Sequence, residues 1–87
     1  MPTQPQILEP YQTTDLALAA ALSLWHPVYS VNRENPRKSI FIFEPAADLE
    51  GLVDTFWRGE LQVDPRAYFS ELRQIKARLY AREGPYD

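Results

Sequence analysis

Residues 16–25 constrain the fold more than any other part of the sequence, because they form a helix-favouring run with almost no polar face. Thr13, Thr14 and Asp15 precede the run and supply N-cap side chains, and leucine and alanine then fill most of its positions. A helix that is apolar all round must be covered all round. We therefore expect a central first helix that ends near Trp25, with alanines that allow its neighbours to approach closely.

The chain can build only one core around that helix. Its 87 residues make one domain, and a chain of this size buries roughly 60 to 65% of the surface that its unfolded form exposes. The absence of cysteine excludes disulfides and thiolate metal sites, so packing must hold the fold. We expect a flexible proline-rich leader over residues 1–12, a single α+β domain over residues 13–83 and a tail over residues 84–87.

A β-hairpin is predicted after the first helix, which ends because Pro27 disfavours the helical conformation of His26. Residues 28–31 lead into a polar run of turn formers at 32–36. Residues 38–43 then return as a strand of mainly β-branched and aromatic residues. This returning strand is the clearest β-signal in the sequence.

The returning strand has two apolar faces. Alternation places Ile40 and Ile42 on one face and Phe41 and Phe43 on the other, so each face needs at least partial cover. An isolated hairpin is marginal in water, and we expect helices to pack on it. Residues 7–8 are a candidate third strand at the N-terminal edge, limited in length by the proline that follows.

Two more helices are predicted in the second half of the chain. The first opens at residues 44–48, repeats its apolar residues at helical spacing and ends at Gly59 as the C-terminal cap. The second starts with Asp64 as N-cap and Pro65 as first helical residue, and runs to about Glu83. Its core-facing stripe is Tyr68, Leu72, Ile75 and Leu79. The predicted fold is thus α+β: a helix, an antiparallel hairpin, then two helices packed on the sheet.

Three short motifs stand in order along residues 13–82: TDLALAAAL at 14–22, FIFE at 41–44, and VDPRAYF at 63–69 followed by Leu72-Arg73 and Leu79-Tyr80. Together they resemble a family of short bacterial and phage proteins known only as a domain of unknown function. The resemblance implies a self-contained prokaryotic domain. Because that family has no assigned activity, it implies no reaction, cofactor or partner.

Catalytic and metal-binding residues are not expected, and we predict a protein that is not an enzyme and uses no cofactor. His26 is the only histidine and stands at a helix end, where capping the negative end of the helix dipole is its simplest role. Glu50 and Asp54 share a helix face with Arg58, a spacing typical of a solvated charge ladder rather than a metal site.

No signal peptide or membrane span is expected, because residues 1–11 lack a basic and an apolar region and the longest apolar run is about half of a ~20-residue span. We therefore expect a cytoplasmic protein. The net charge of −3 argues against bulk attraction to nucleic acid, although all nine Lys and Arg lie beyond position 32.

One face of the third helix combines cations with aromatic rings, and we name it the basic-aromatic stripe. It consists of Arg66, Phe69, Arg73, Lys76 and Tyr80, which fall within about 80° of arc beside the core-facing stripe. Cations neutralise phosphates and rings stack on unpaired bases, so the stripe suits single-stranded nucleic acid. In the alternative interpretation, Phe69 and Tyr80 widen the buried stripe and the cations form its solvated border.

A secondary candidate site comprises Arg37, Lys38, Phe41 and Phe43. A basic pair followed by alternate aromatics is similar to the base-stacking strand of RNA-recognition sheets. The glycines of that motif and its βαββαβ order are absent, which favours a core role for the two phenylalanines.

The chain has more large apolar and aromatic side chains than one small core can hide. Trp25, Trp57, Phe69, Tyr80 and both faces of the hairpin cannot all be interior, and an exposed apolar patch usually marks a partner site. We expect a non-enzymatic interaction module, an accessory subunit that docks on a larger protein or forms a homodimer. The alternative is a nucleic-acid-binding accessory protein that uses the basic-aromatic stripe.

Overall fold

The computed structural model describes residues 9–35 and 37–81, which form a three-stranded antiparallel sheet and three helices. In chain order the elements are β1 (Tyr11–Thr13), α1 (Leu16–Leu22), β2 (Ser30–Asn32), β3 (Ile40–Phe43), α2 (Leu49–Trp57) and α3 (Pro65–Ala81). This architecture confirms the predicted α+β class.

The sheet has the order β1-β3-β2, with the strand that gave the clearest sequence signal in the middle. In the antiparallel register, Phe41 lies between Thr13 of β1 and Val31 of β2. Strand β1, the additional edge strand, begins directly after Pro10. It therefore includes Tyr11 and Gln12, which we had assigned to the leader. The candidate strand at residues 7–8 lies outside the described part of the chain.

The central helix α1 begins at a side-chain cap and is shorter than predicted. Asp15 Oδ1 accepts a hydrogen bond from the Leu18 amide at 3.0 Å, as its N-cap position predicts. The helix ends at Leu22, whose carbonyl accepts from the amides of both Trp25 and His26 at 2.9 Å. The expected end near Trp25 was wrong, because the helix ends three residues earlier, at Leu22, and residues 23–25 form a turn.

The core surrounds α1, which contacts α2, α3 and β1. It is formed by buried residues from four elements: Leu18, Ala19, Ala20, Leu22, Phe41, Phe43, Leu49 and Ile75. Tyr68, Leu72 and Leu79 of α3 are half-buried against this cluster, which confirms the predicted core-facing stripe. The prediction that an all-apolar first helix must be central is therefore correct.

The two faces of β3 have different environments. Phe41 is 2% and Phe43 0% exposed on the face that meets the helices. Ile40 and Ile42 point to the opposite face, are half-buried, and do not join the core cluster in the part of the chain that the structure describes. Only one apolar face of the sheet is thus fully covered.

The ends of α2 and α3 follow the predicted capping chemistry. Gly59 adopts φ +75°, and the amides of Gly59 and Glu60 donate to the carbonyls of Phe56 and Thr55 in a Schellman motif. At the start of α3, Asp64 Oδ2 accepts from the Ala67 amide at 2.8 Å. The helix α2 begins at Leu49, after the residues 44–48 that we had expected to open it.

Substitution by alanine should have opposite effects on stability at Gly51, inside α2, and at Gly59, after its end. A Cβ at either position meets nothing within 4 Å, so only the backbone conformation decides. We expect Gly59→Ala to lower the free energy of unfolding by about 1 kcal/mol, because alanine disfavours positive φ. We expect the helical Gly51→Ala to raise it by about 0.5 to 1 kcal/mol. Urea unfolding followed by circular dichroism measures both, and a shared sign would contradict the assigned conformations.

Neighbouring residues of β3 test the difference between its faces. We expect Phe43→Ala to lower the free energy of unfolding by about 3 to 5 kcal/mol, because it leaves a cavity in the core. The matched change Ile42→Ala removes a half-buried side chain from the other face and should lower it by about 1 to 2 kcal/mol. Equal losses in denaturant unfolding would show that both faces are equally covered.

Candidate functional site

The basic-aromatic stripe is exposed along its whole length on α3. All five of its side chains are solvent-exposed, and the rings of Phe69 and Tyr80 expose 56% and 71% of their surface. The alternative interpretation, in which these two rings widen the buried stripe, is therefore wrong. The burial falls instead on Tyr68, Leu72, Ile75 and Leu79, which turn the neighbouring face of the helix to the core.

A shallow concave surface lies over the first half of the stripe. The Arg73 guanidinium lies over the Phe69 ring, with Cζ 5.7 Å from the ring centroid, a cation–π contact that contributes about 0.5 to 1 kcal/mol at an exposed site. The concavity measures about 450 Å³ and is lined by Arg66, Phe69, Ser70, Arg73, Gln74 and Ala77. This lining contains two cations and one ring and no carboxylate.

A second cavity, of about 510 Å³, lies where the C-terminal end of α3 approaches the start of β3, and we name it the hairpin cavity. It is lined by Thr14, Leu16, Arg37, Lys38, Ser39, Phe41, Leu79 and Tyr80. The cavity brings Tyr80 of the basic-aromatic stripe together with Arg37 and Lys38, which the sequence had placed in a separate candidate site. Thr14 and Ser39 join them, and no sequence motif had pointed to either.

The turn between β2 and β3 fixes the backbone positions of the two cations. Asn35 Oδ1 accepts from the Arg37 amide at 2.9 Å, and the Asn35 carbonyl accepts from the Lys38 amide at 3.0 Å. Asn32 Oδ1 similarly accepts from the Glu34 amide at 2.9 Å. The two bonds to Asn35 fix the backbone at Arg37 and Lys38, both of which line the hairpin cavity.

The aromatic half of the secondary candidate site is interior. Phe41 and Phe43 are buried, which confirms the core role that the sequence favoured and leaves neither ring accessible for stacking. Phe43 lies beside Tyr11 with 6.5 Å between ring centroids. Burial raises the pKa of the Tyr11 hydroxyl above its usual value of 10.0. Arg37 and Lys38 therefore remain the accessible members of that site.

An apolar cleft of about 260 Å³ lies beside the connection between α2 and α3, and we name it the link cleft. It is lined by Ala21, Phe56, Gly59, Leu61, Val63 and Tyr68. Trp57 is 60% exposed and meets Phe56 edge to face, with ring centroids 5.0 Å apart. Leu61 and Val63 alternate with exposed polar neighbours, a pattern that indicates burial on one side, and no sequence motif had pointed to either residue.

The charged groups of α2 form surface pairs. Arg58 lies 3.0 Å from Asp54, which is one pair of the predicted ladder of Glu50, Asp54 and Arg58, and 3.8 Å from Glu60, which the spacing had not indicated. His26 Nε2 lies 2.8 Å from Asp48 Oδ1, so the ring joins the turn after α1 to the start of α2, while the His26 amide bonds the Leu22 carbonyl at the end of α1. Over residues 9–35 and 37–81, the acidic and histidine side chains form no cluster arranged to hold a metal ion.

None of the helices that the structure describes combines the length and apolar character required to cross a membrane.

No curated protein and no solved structure matches this chain significantly. A family match covers residues 9–81, which include all six elements and every lining residue of the link cleft and the hairpin cavity. On this match, the chain belongs to the family described as "Domain of unknown function (DUF5659)".

Proposed function

We propose that this domain is a non-enzymatic interaction module that docks on a larger protein as an accessory subunit, or on a second copy of itself. The observation that carries the proposal is the exposure of large aromatic side chains: Trp25 44%, Tyr29 65%, Trp57 60%, Phe69 56% and Tyr80 71%. Large exposed aromatic rings favour an interaction role, because tryptophan and tyrosine are enriched among interface hot spots.

Trp57 and the link cleft make the strongest contact region among these side chains. Tryptophan is enriched in interface hot spots, where a ring fills or borders a pocket that water leaves on binding. Trp57 does not line the link cleft itself, but its ring meets edge to face the ring of Phe56, which does line it. Burying the exposed part of one such ring stabilises a complex by about 2 to 3 kcal/mol.

The charges around this region favour a partner that presents cations. Asp54 and Glu60 flank the C-terminal end of α2, and Arg58 shares its guanidinium between them. Exposed pairs of this kind contribute little to stability and can exchange for intermolecular pairs. A partner surface with an apolar anchor and basic neighbours would therefore complement both the link cleft and its rim.

The test is Trp57→Ala, compared with Tyr29→Ala as a matched loss of an exposed ring elsewhere. Self-association is measured by sedimentation velocity over a concentration series, and docking by co-purification of the tagged chain from its native host. We expect Trp57→Ala to weaken association by about 30-fold, equivalent to about 2 kcal/mol. We expect Tyr29→Ala to change it by less than about threefold.

Circular dichroism controls for folding, since both rings are exposed and their loss should leave the helices intact. The proposal fails if the wild-type chain stays monomeric at every concentration and captures no protein that Trp57→Ala loses.

The exposed basic-aromatic stripe favours a second candidate function, binding of single-stranded nucleic acid. Arg66, Arg73 and Lys76 form no ion pair with any carboxylate that the structure describes, so their charges are available to phosphates. The exposed rings of the stripe would add stacking on unpaired bases.

This second function predicts salt-sensitive binding. We expect Arg73→Gln and Lys76→Gln each to weaken oligonucleotide binding and to reduce the slope of log affinity against log salt by about 1. Arg58→Gln, which removes the same charge from α2, should leave that slope unchanged. Fluorescence anisotropy with labelled single-stranded and duplex DNA gives the measurement, and the absence of binding to either at low salt would exclude the function.

A further inference from the structure

The hairpin cavity has a polar and basic lining. Docking through Trp57 would not involve this lining. The lining includes two cations, Arg37 and Lys38, and three hydroxyl groups, from Thr14, Ser39 and Tyr80. Half-buried Leu16 and Leu79 add apolar surface, and the buried Phe41 lies beneath them. A ligand that matches this lining combines an anionic group with a planar or apolar group.

The electrostatics of the cavity favour an anion. None of its lining residues is acidic, and Arg37 and Lys38 are exposed and unpaired with the described carboxylates. The three ion pairs of the described chain lie instead at α2 and the His26 turn. The residues that line the cavity therefore carry a net positive charge, although the whole chain carries a net charge of −3.

Tyr80 provides the complementary apolar contact. Its side chain is 71% exposed while it lines the cavity, so most of its ring is accessible to a ligand. Leu79, next to it in sequence, is half-buried against the core and fixes this end of α3. Exposed aromatic rings of this kind stack on nucleobases.

We propose that the hairpin cavity binds one nucleotide, with its phosphate at Arg37 and Lys38 and its base on Tyr80. The volume of about 510 Å³ falls within the usual range for small-ligand sites. The hydroxyls of Thr14 and Ser39 add donors and acceptors for phosphate or sugar oxygens. This site is separate from the link cleft and does not depend on docking through Trp57.

The same chemistry is presented by a free nucleotide and by one unit of a single strand. From Arg66 to Tyr80 the stripe extends along α3 for about 21 Å at 1.5 Å per residue. That length matches about six stacked nucleotides at 3.4 Å each. A strand seated in the hairpin cavity would therefore continue past Lys76 to the concavity at Phe69.

The experiment follows backbone amide chemical shifts of the full chain by NMR during four titrations. The probes are deoxyadenosine 5′-monophosphate, deoxyadenosine, inorganic phosphate and a 5′-phosphorylated hexadeoxyadenylate. We expect the monophosphate to shift the amides of Lys38, Ser39 and Tyr80, and to bind at least about tenfold more tightly than either fragment, because it makes both the ionic and the stacking contact.

Substitutions at the cavity then test each contact. We expect Arg37→Gln, Lys38→Gln and Tyr80→Ala each to weaken monophosphate binding by about tenfold, and Tyr80→Phe to retain stacking and lose less than about threefold. The matched control Arg58→Gln removes a cation that lies outside both the cavity and the stripe and should change monophosphate affinity by less than about twofold. All these side chains are exposed, so the fold should be unaffected.

The oligonucleotide distinguishes the two sources of the nucleotide. Hexamer binding that is tighter than monophosphate binding and is weakened by Arg66→Gln assigns the site to a strand. Equal affinities that are insensitive to Arg66→Gln assign it to a free nucleotide. The proposal is overturned if neither phosphorylated probe shifts the cavity amides, if deoxyadenosine binds as well as its monophosphate, or if Arg58→Gln weakens monophosphate binding as much as Arg37→Gln does.

Discussion

Burial of the last five residues of α1 is the constraint on which the other elements depend. Five consecutive residues from Leu18 to Leu22 are buried, so this helix needs neighbours on every side. α2 and α3 both contact it, and the face of β3 that carries Phe41 and Phe43 completes the cluster. Each of these elements therefore turns its most apolar face inward. Because the chain is short, few residues remain to cover the apolar side chains on the outer surface, and several aromatic rings stay exposed there.

Capping residues and periodicity were enough to predict most of the elements. Asp15, Asp64 and Gly59 mark helix ends by local hydrogen bonds and backbone conformation, and local chemistry of this kind is readable in sequence. The end of α1 was not predictable from propensity, because the turn at residues 23–26 closes on the Leu22 carbonyl and is stabilised by tertiary contacts such as the His26–Asp48 pair. Strand β1 has only three residues, and its pairing with β3 follows from distant contacts rather than from its own pattern.

The candidate surfaces were partly predictable for a similar reason. Helical spacing correctly placed the basic-aromatic stripe beside the core-facing stripe of α3, although only the structure shows that both rings are exposed. The hairpin cavity joins residues from three separate parts of the chain, and Tyr80 meets Arg37 and Lys38 only because α3 ends near the start of β3. The link cleft likewise depends on how the connection after Gly59 folds back toward α1. Neither arrangement has a signature in local sequence.

The short outer strands of the sheet have a consequence for how chains of this protein meet. β1 and β2 contain three residues each, and Pro10, which has no amide hydrogen, stands immediately before β1. An incoming strand would find few backbone groups on either side, so growth of the sheet into fibrils by repeated strand addition is disfavoured. Within the part of the chain that the structure describes, the edges of the sheet therefore offer little backbone for the self-templated polymerisation that long open strands promote.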